Sequence, residues 1–376
     1  MTSFSASQMA ALTSAQVSAL SVDQIEALDA TQIAGLSAAQ ISSLGTDDIA
    51  EFSGEETGAI SAKAISGLSV EAVSELSDDQ LGALKPAQIS ALSTAQVKAL
   101  TPEQIGKFSE AQVTALTASQ VSVLDDAQIA ELDVSKLSTK AVAGLSATQI
   151  GLLGEDQVEG ITAAQVAAMN AAQLSALDGD DIAKFSTEEI GAISAKAISG
   201  LSVEAISELS DDQLGALKPA QISALSTTQI QALSEAQIAL MSAEQLNALS
   251  ADQVSVLSDT QIAELDATDI ASLSTKSVVG LTTSQIEGMT TAQIEALTSK
   301  QVAAMSANQI AALEDDDIKQ FSTEDIAAIS TSAISGLSVE DISALTEEQL
   351  GAFTDPQLQS MNTNQVDAVI AAYHAF

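Results

Sequence analysis

Every eighth residue of this chain is a large apolar residue, usually Leu, and Ser, Thr or Asp nearly always follows it. Leu12, Leu20, Leu28, Leu36, Leu44 and Phe52 set the frame. One unit, read from Ser21, is Ser21-Val22-Asp23-Gln24-Ile25-Glu26-Ala27-Leu28, and the consensus is S-x-x-Q-[IV]-x-A-L. A unit this short cannot bury its own apolar face, so the repeat dictates a stacked architecture.

Each octad carries a complete helix-start signal. The Ser at position 1 and the Gln at position 4 form a capping box: the hydroxyl accepts from the backbone N–H three residues on, and the Gln reaches back to the Ser N–H. Leu at position 8 of the preceding unit and Ile or Val at position 5 make the hydrophobic staple. Pro86, Pro102 and Pro219 fall at position 2 and Pro356 at position 3. That is the first turn, where a missing N–H is tolerated. Acidic residues crowd the same turn, as in Asp47-Asp48 and Glu188-Glu189, where the helix dipole favours them.

Two rival folds fail. One continuous helix would drift by about 80° per octad, and its Leu/Ile stripe would wind around the cylinder. A β-solenoid would need β-branched alternation, whereas Ala and Gln are frequent here and are poor strand formers. Disorder conflicts with 46% hydrophobic residues at strict spacing. The expectation is an all-α solenoid, or superhelix, of about 45 very short capped helices, one per octad. Burying two large side chains contributes roughly 3–6 kcal/mol, while ordering eight backbones costs about 8–16 kcal/mol. A lone octad therefore cannot fold, and neighbours must share the core.

Octads run over residues 5–132, in 16 units, and 138–369, in 29 units. A five-residue fragment, 133–137, separates them, and a segment 370–376 leaves the frame. No composition shift marks a linker, so 1–376 reads as a single repeat domain. Residues 61–94 recur at 194–227 with one difference, Val73 against Ile206. The block from Gly45 returns at Asp178 and, more loosely, at Glu314, which points to duplication. Five octads lose the Gln and gain Gly at position 7: Gly67, Gly144, Gly200, Gly280 and Gly336. Two readings stand for them. They mark successive superhelical turns with close backbone approach, or duplication copied a neutral variant.

The chain has 51 acidic residues against 12 Lys, no Arg, and a net charge of −39. Nucleic-acid partners are excluded for want of a basic stripe, and no apolar run reaches membrane-spanning length. Cys is absent, which removes disulfides and thiolate metal sites. The only His, His374, sits near the C-terminus. The serines have capping explanations and no placed base, so the chain reads as a non-enzyme without a cofactor. Asp178, Asp180 and Asp181, with Asp315, Asp316 and Asp317, are dense acidic clusters at equivalent points. They are candidate Ca²⁺ ligands or solvated helix-start acids. The Gln column could stack as an amide ladder, and the cap-face hydroxyls could order water. The variant octads set Lys63, Lys140, Lys196 and Lys276 at position 3.

The string LSTAQVKALTPEQI, residues 92–105, resembles repeats of large bacterial exported proteins that carry tandem L-[ST]-x-x-Q-[IV]-x-A-L units and are labelled adhesin-like or haem-utilisation-like. Such units cover all but the two ends of the chain. The resemblance implies a cell-surface or extracellular location. It carries over no catalytic residue, and the repeats place no His or Met as an axial pair for haem. The start, MTSFSASQMAAL, lacks the regions of a cleaved signal. The end, residues 370–376, resembles type I export signals or forms a helix covering the last octad. The expected function is a self-assembling head-to-tail filament or coat subunit, since the first octad is an ordinary unit with no cap sequence before it. Its main partner is then itself. The alternative is a soluble binding scaffold for a peptide, glycan or protein.

Overall fold

The computed structural model describes residues 4–375, apart from the side chain of Asp315. Among the described residues there are 42 short α-helices, four 3₁₀ turns and no strand. Every octad holds one helix. Three octads hold theirs as 3₁₀ turns, at Ile65–Gly67, Ile198–Gly200 and Ile334–Gly336. The α-helices are four to six residues long. The exception is Thr363–Tyr373, which runs on for 11 residues and takes in the start of the segment outside the octad frame.

The capping box recurs throughout. In the octad from Thr117, the Gln120 N–H donates to Thr117 Oγ1 at 3.3 Å, and the Thr117 N–H donates to Gln120 Oε1 at 2.8 Å. Helices end without a left-handed residue, since no described residue has positive φ. Position 8 turns extended instead, as at Leu100 (φ −60°, ψ 139°), and the next Ser or Thr stays extended. That two-residue bend re-aims the chain for the following helix.

Successive helices wind into coils of three to four octads. Pro102–Gly106 packs on Asp126–Glu131, three octads on, and Gly54–Ala59 packs on Asp78–Ala83 in the same way. Positions 5 and 8 fill the interior: Ile89, Val97 and Val121 are fully buried, and Leu92, Leu100 and Leu116 nearly so. This is the apolar pair that a single octad could not keep dry.

A third column, Gln at position 4, is buried as well. Its Oε1 serves the cap of its own helix. Its Nε2 crosses to the previous coil and donates to two carbonyls there. Gln120 Nε2 reaches the Ile89 and Leu92 oxygens at 2.7 and 2.8 Å, which are 31 and 28 residues earlier. Gln88 does the same with Thr57 and Ile60, and Gln253 with Ile222 and Leu225. The last carbonyls of a short helix would otherwise be orphaned. Here the next coil satisfies them, and a left-handed C-cap is not needed.

The fragment 133–137 fits this scheme. It forms a 3₁₀ turn, Val134–Lys136, that keeps the buried pair Val134 and Leu137. Gln165 donates to both of their carbonyls at 2.8 Å. The fragment is thus an octad that has lost its first three positions and kept its core. Gln149, whose coil spans the deletion, reaches back only 28 and 25 residues, to Val121 and Leu124.

The chain divides into two compact units between Leu177 and Asp178. The octad frame itself runs through this point. Each unit is built from coils of the kind just described.

Two outcomes follow from this packing. Replacing Gln120 removes the partner of one N–H and two carbonyls, so Gln120→Ala is expected to cost about 2–4 kcal/mol. Thr117→Ala, which loses one cap bond, costs only about 1 kcal/mol; urea unfolding of the two variants checks the order. Thr57 occupies position 5, is fully buried, and its Oγ1 has no hydrogen-bond partner. Thr57→Val is expected to raise stability by roughly 1–2 kcal/mol, read as a higher melting temperature.

Candidate functional site

The two acidic clusters lie at helix starts. Asp178 caps Gly179–Ala183: its Oδ1 accepts from the Asp181 N–H at 3.0 Å, and Asp181 Oδ2 accepts from the Asp178 N–H at 3.2 Å. Asp180 is exposed in the same turn. Asp317 Oδ2 accepts from the Glu314 N–H at 3.1 Å. Asp316 is paired with Lys319 at 2.7 Å, and that ammonium holds its carboxyl below the ordinary range. The side chain of Asp315 lies outside the described residues. Among the described residues, no three acidic or His side chains gather as a metal would require.

The position-7 glycines lie where coils approach closely. A Cβ built on Gly67 would overlap the Ala38 backbone, and one on Gly336 would overlap Ala307. Gly280 meets Ala251, and Gly144 meets Ala118, in the same way. Each partner opens a helix about three octads earlier. Gly200 ends the 3₁₀ turn Ile198–Gly200. With three to four octads per coil, glycines spaced seven to ten octads apart do not mark each turn.

The position-4 column reveals more when read down the chain. Three times it runs acid, acid, Ala and then Ala or Asp: Asp48, Glu56, Ala64, Ala72; Asp181, Glu189, Ala197, Ala205; Asp317, Asp325, Ala333, Asp341. Four octads make a whole coil, so each run is a coil without amide donors. The carboxylates keep the capping half of the role. Glu56 accepts from the Ser53 N–H at 2.8 Å, and Asp325 from the Ser322 N–H at 2.9 Å. Neither can donate to a carbonyl when ionised. The middle one of these coils starts at Asp178, where the chain divides into its two units. The sequence held this signal, but only in a column aligned at the coil period.

Isolated gaps occur too. Ser277, fully buried, donates its hydroxyl to the Leu249 carbonyl at 2.6 Å and so takes over one amide bond. Asp269 exchanges cap bonds with Asp266. Burial raises its carboxyl above the usual range. Positions 1 to 3 and 6 face outward and carry most of the charge, including exposed Lys63, Lys140, Lys196 and Lys276. In unit 2, open grooves of about 500 and 630 Å³ run between coils, lined mainly by apolar surface, as from Pro219, Ala248 and Ala271, with Asn247, Thr275 and Lys300 beside it. His374 is exposed and caps the last helix. Among the described residues no helix is long and apolar enough to cross a membrane.

The ALTTAQ repeat family model matches five stretches of the chain: residues 79–110, 206–242, 262–299, 288–315 and 318–355. These matches are consistent with the octad repeat expected from the sequence. No curated protein matches. Among solved structures, the leucine-rich repeat-containing protein LegL7 from Legionella pneumophila matches with 13% identity over 65% of this chain and 89% of its own, at a TM-score of 0.23.

Restoring the amide at one isolated gap is expected to strengthen the fold. In Asp269→Gln the new Nε2 faces the Ile238 and Met241 carbonyls, by the register of the neighbouring octads. Two bonds contribute about 1–3 kcal/mol. The raised Asp269 carboxyl means the folded state resists its ionisation, so wild type loses stability as pH rises through the carboxylate range. The gain from the substitution is therefore larger at pH 7 than at pH ~3, which denaturation at the two pH values measures.

Proposed function

We propose that this is a non-catalytic structural protein whose coils associate head to tail into a filament or coat. The observation that carries the reading is the form of the coil edge. Outside the three Gln-free coils, one side of a coil presents Gln amides and the other presents position-5 and position-8 carbonyls, as Gln80 with Ile49 and Phe52 illustrates. Such an edge is complementary to its own opposite side, and an interface of that type repeats without closing. The high negative charge favours solubility of the free protein and makes association depend on salt.

An extracellular or cell-surface location is part of the proposal. It draws on the resemblance of the repeats to those of exported proteins and of residues 370–376 to type I export signals. The alternative, a scaffold that holds a partner, gains from the open, largely apolar grooves of unit 2 near Asn247 and Lys300.

Sedimentation velocity and negative-stain microscopy of the purified chain test assembly. The expected result is a mass that grows with protein and salt concentration and filaments at the upper end, with Ca²⁺ as one added condition. Discrete monomers under all conditions would remove the assembly reading and leave the scaffold.

A further inference from the structure

The Gln-free coils leave a row of carbonyls unserved. In unit 1, residues 45–76 form such a coil, and the carbonyls it faces by register belong to Leu20, Leu28, Leu36 and Leu44. None of these accepts a hydrogen bond among the described residues. In unit 2, residues 314–345 repeat the arrangement against Met289, Leu297, Met305 and Leu313, whose carbonyls are likewise unserved among the described residues. Elsewhere in each unit a typical coil junction carries paired amide bonds from each Gln.

Close packing substitutes at these junctions. Gly67 and Gly336, both inside Gln-free coils, bring the backbone against Ala38 and Ala307. In unit 2 a side-chain bond also crosses the junction, from Ser299 Oγ to Asp325 Oδ1 at 2.7 Å. Like charges also meet in unit 1. Glu26 and Glu51 stand on opposite sides of its junction, where a side-chain hydrogen bond between the two carboxyls, and then the Glu51 charge, raise the Glu26 carboxyl above its ordinary range. Among the described residues, each such junction therefore lacks the Gln bridges and relies on apolar contact and close backbone packing.

We propose that the junctions between residues 44 and 45 and between residues 313 and 314 are opening seams, at which a unit separates into blocks of coils before any Gln-bridged junction gives way. Stability in stacked repeats is a sum of unit and junction contributions, so the junction that lacks its bridging bonds is the first to open. This is a property of the single chain and does not depend on assembly.

Native-state hydrogen exchange of the full chain, resolved by peptide, tests it. The carbonyl side of a seam has no amide to lose, so the readout is the backbone N–H protection of octads 37–52 and 306–321. These are expected to exchange by sub-global opening at least about tenfold faster than octads 85–124, where Gln bridges are continuous; tenfold is 1.4 kcal/mol, about one net hydrogen bond. Stitching the seam with Asp48→Gln and Glu56→Gln should slow exchange at the unit 1 seam by a similar factor and leave the unit 2 seam unchanged. As a second variant, Gln120→Glu keeps the cap, as Glu56 does, and should open a new fast junction. Uniform protection across the wild-type coils would overturn the proposal, as would a stitched variant with wild-type exchange at its seam.

Discussion

The structure depends on one side chain doing three things. A helix of four to six residues leaves N–H groups unpaired at one end and carbonyls at the other, and an octad has no length in which to hide them. Gln at position 4 accepts from the N–H that opens its own helix and donates to two carbonyls that close a helix in the previous coil. Local folding and coil stacking therefore use the same amide. A helix start is complete only when its neighbour's helix end is also complete, which makes the stack cooperative from one coil to the next.

That dependence explains what the repeat tolerates. The fragment 133–137 drops three residues of the first turn yet keeps Val134, Leu137 and their carbonyls, and the Gln register resumes beyond it. A carboxylate at position 4 keeps the cap and forfeits the bridge, as at Glu56 and Asp325. Ser277 keeps one bridge with a shorter arm. The apolar pair shows little such latitude. Thr57, the polar exception at position 5, leaves a buried hydroxyl without a partner, and the equivalent positions of the two later copies hold Ile190 and Ile326.

The local half of this design is legible in the sequence. Hydroxyl caps such as Thr117, Gln at the third helical residue, Pro102 at the helix start and the Ile/Leu pair all follow from spacing within eight residues. The destination of the Gln amide is not, because it lies 28 and 31 residues away and requires the coil period. The same missing number hid the Gln-free coils, although Asp48, Glu56, Ala64 and Ala72 stand in plain order. The glycines read as sites of close approach, and Gly67 and Gly336 lie against Ala38 and Ala307, but their link to unbridged junctions needed contacts. The acidic clusters around Asp178 and Glu314 mark starts of coils that have given up their amides, a role that charge density alone does not disclose.

A chain whose outward positions are acidic and whose coil edges are complementary is suited to repetition and association, and its internal seams set where it yields. All of this rests on the bridging amide. The most direct measurement is solvent exchange of Gln side-chain NH₂ protons by nuclear magnetic resonance. Buried bridging groups such as Gln88, Gln120 and Gln253 should show strongly protected side-chain amides, while the exposed Gln8, Gln16 and Gln24 exchange at rates near those of free glutamine. Equal, fast exchange at both sets would contradict the account.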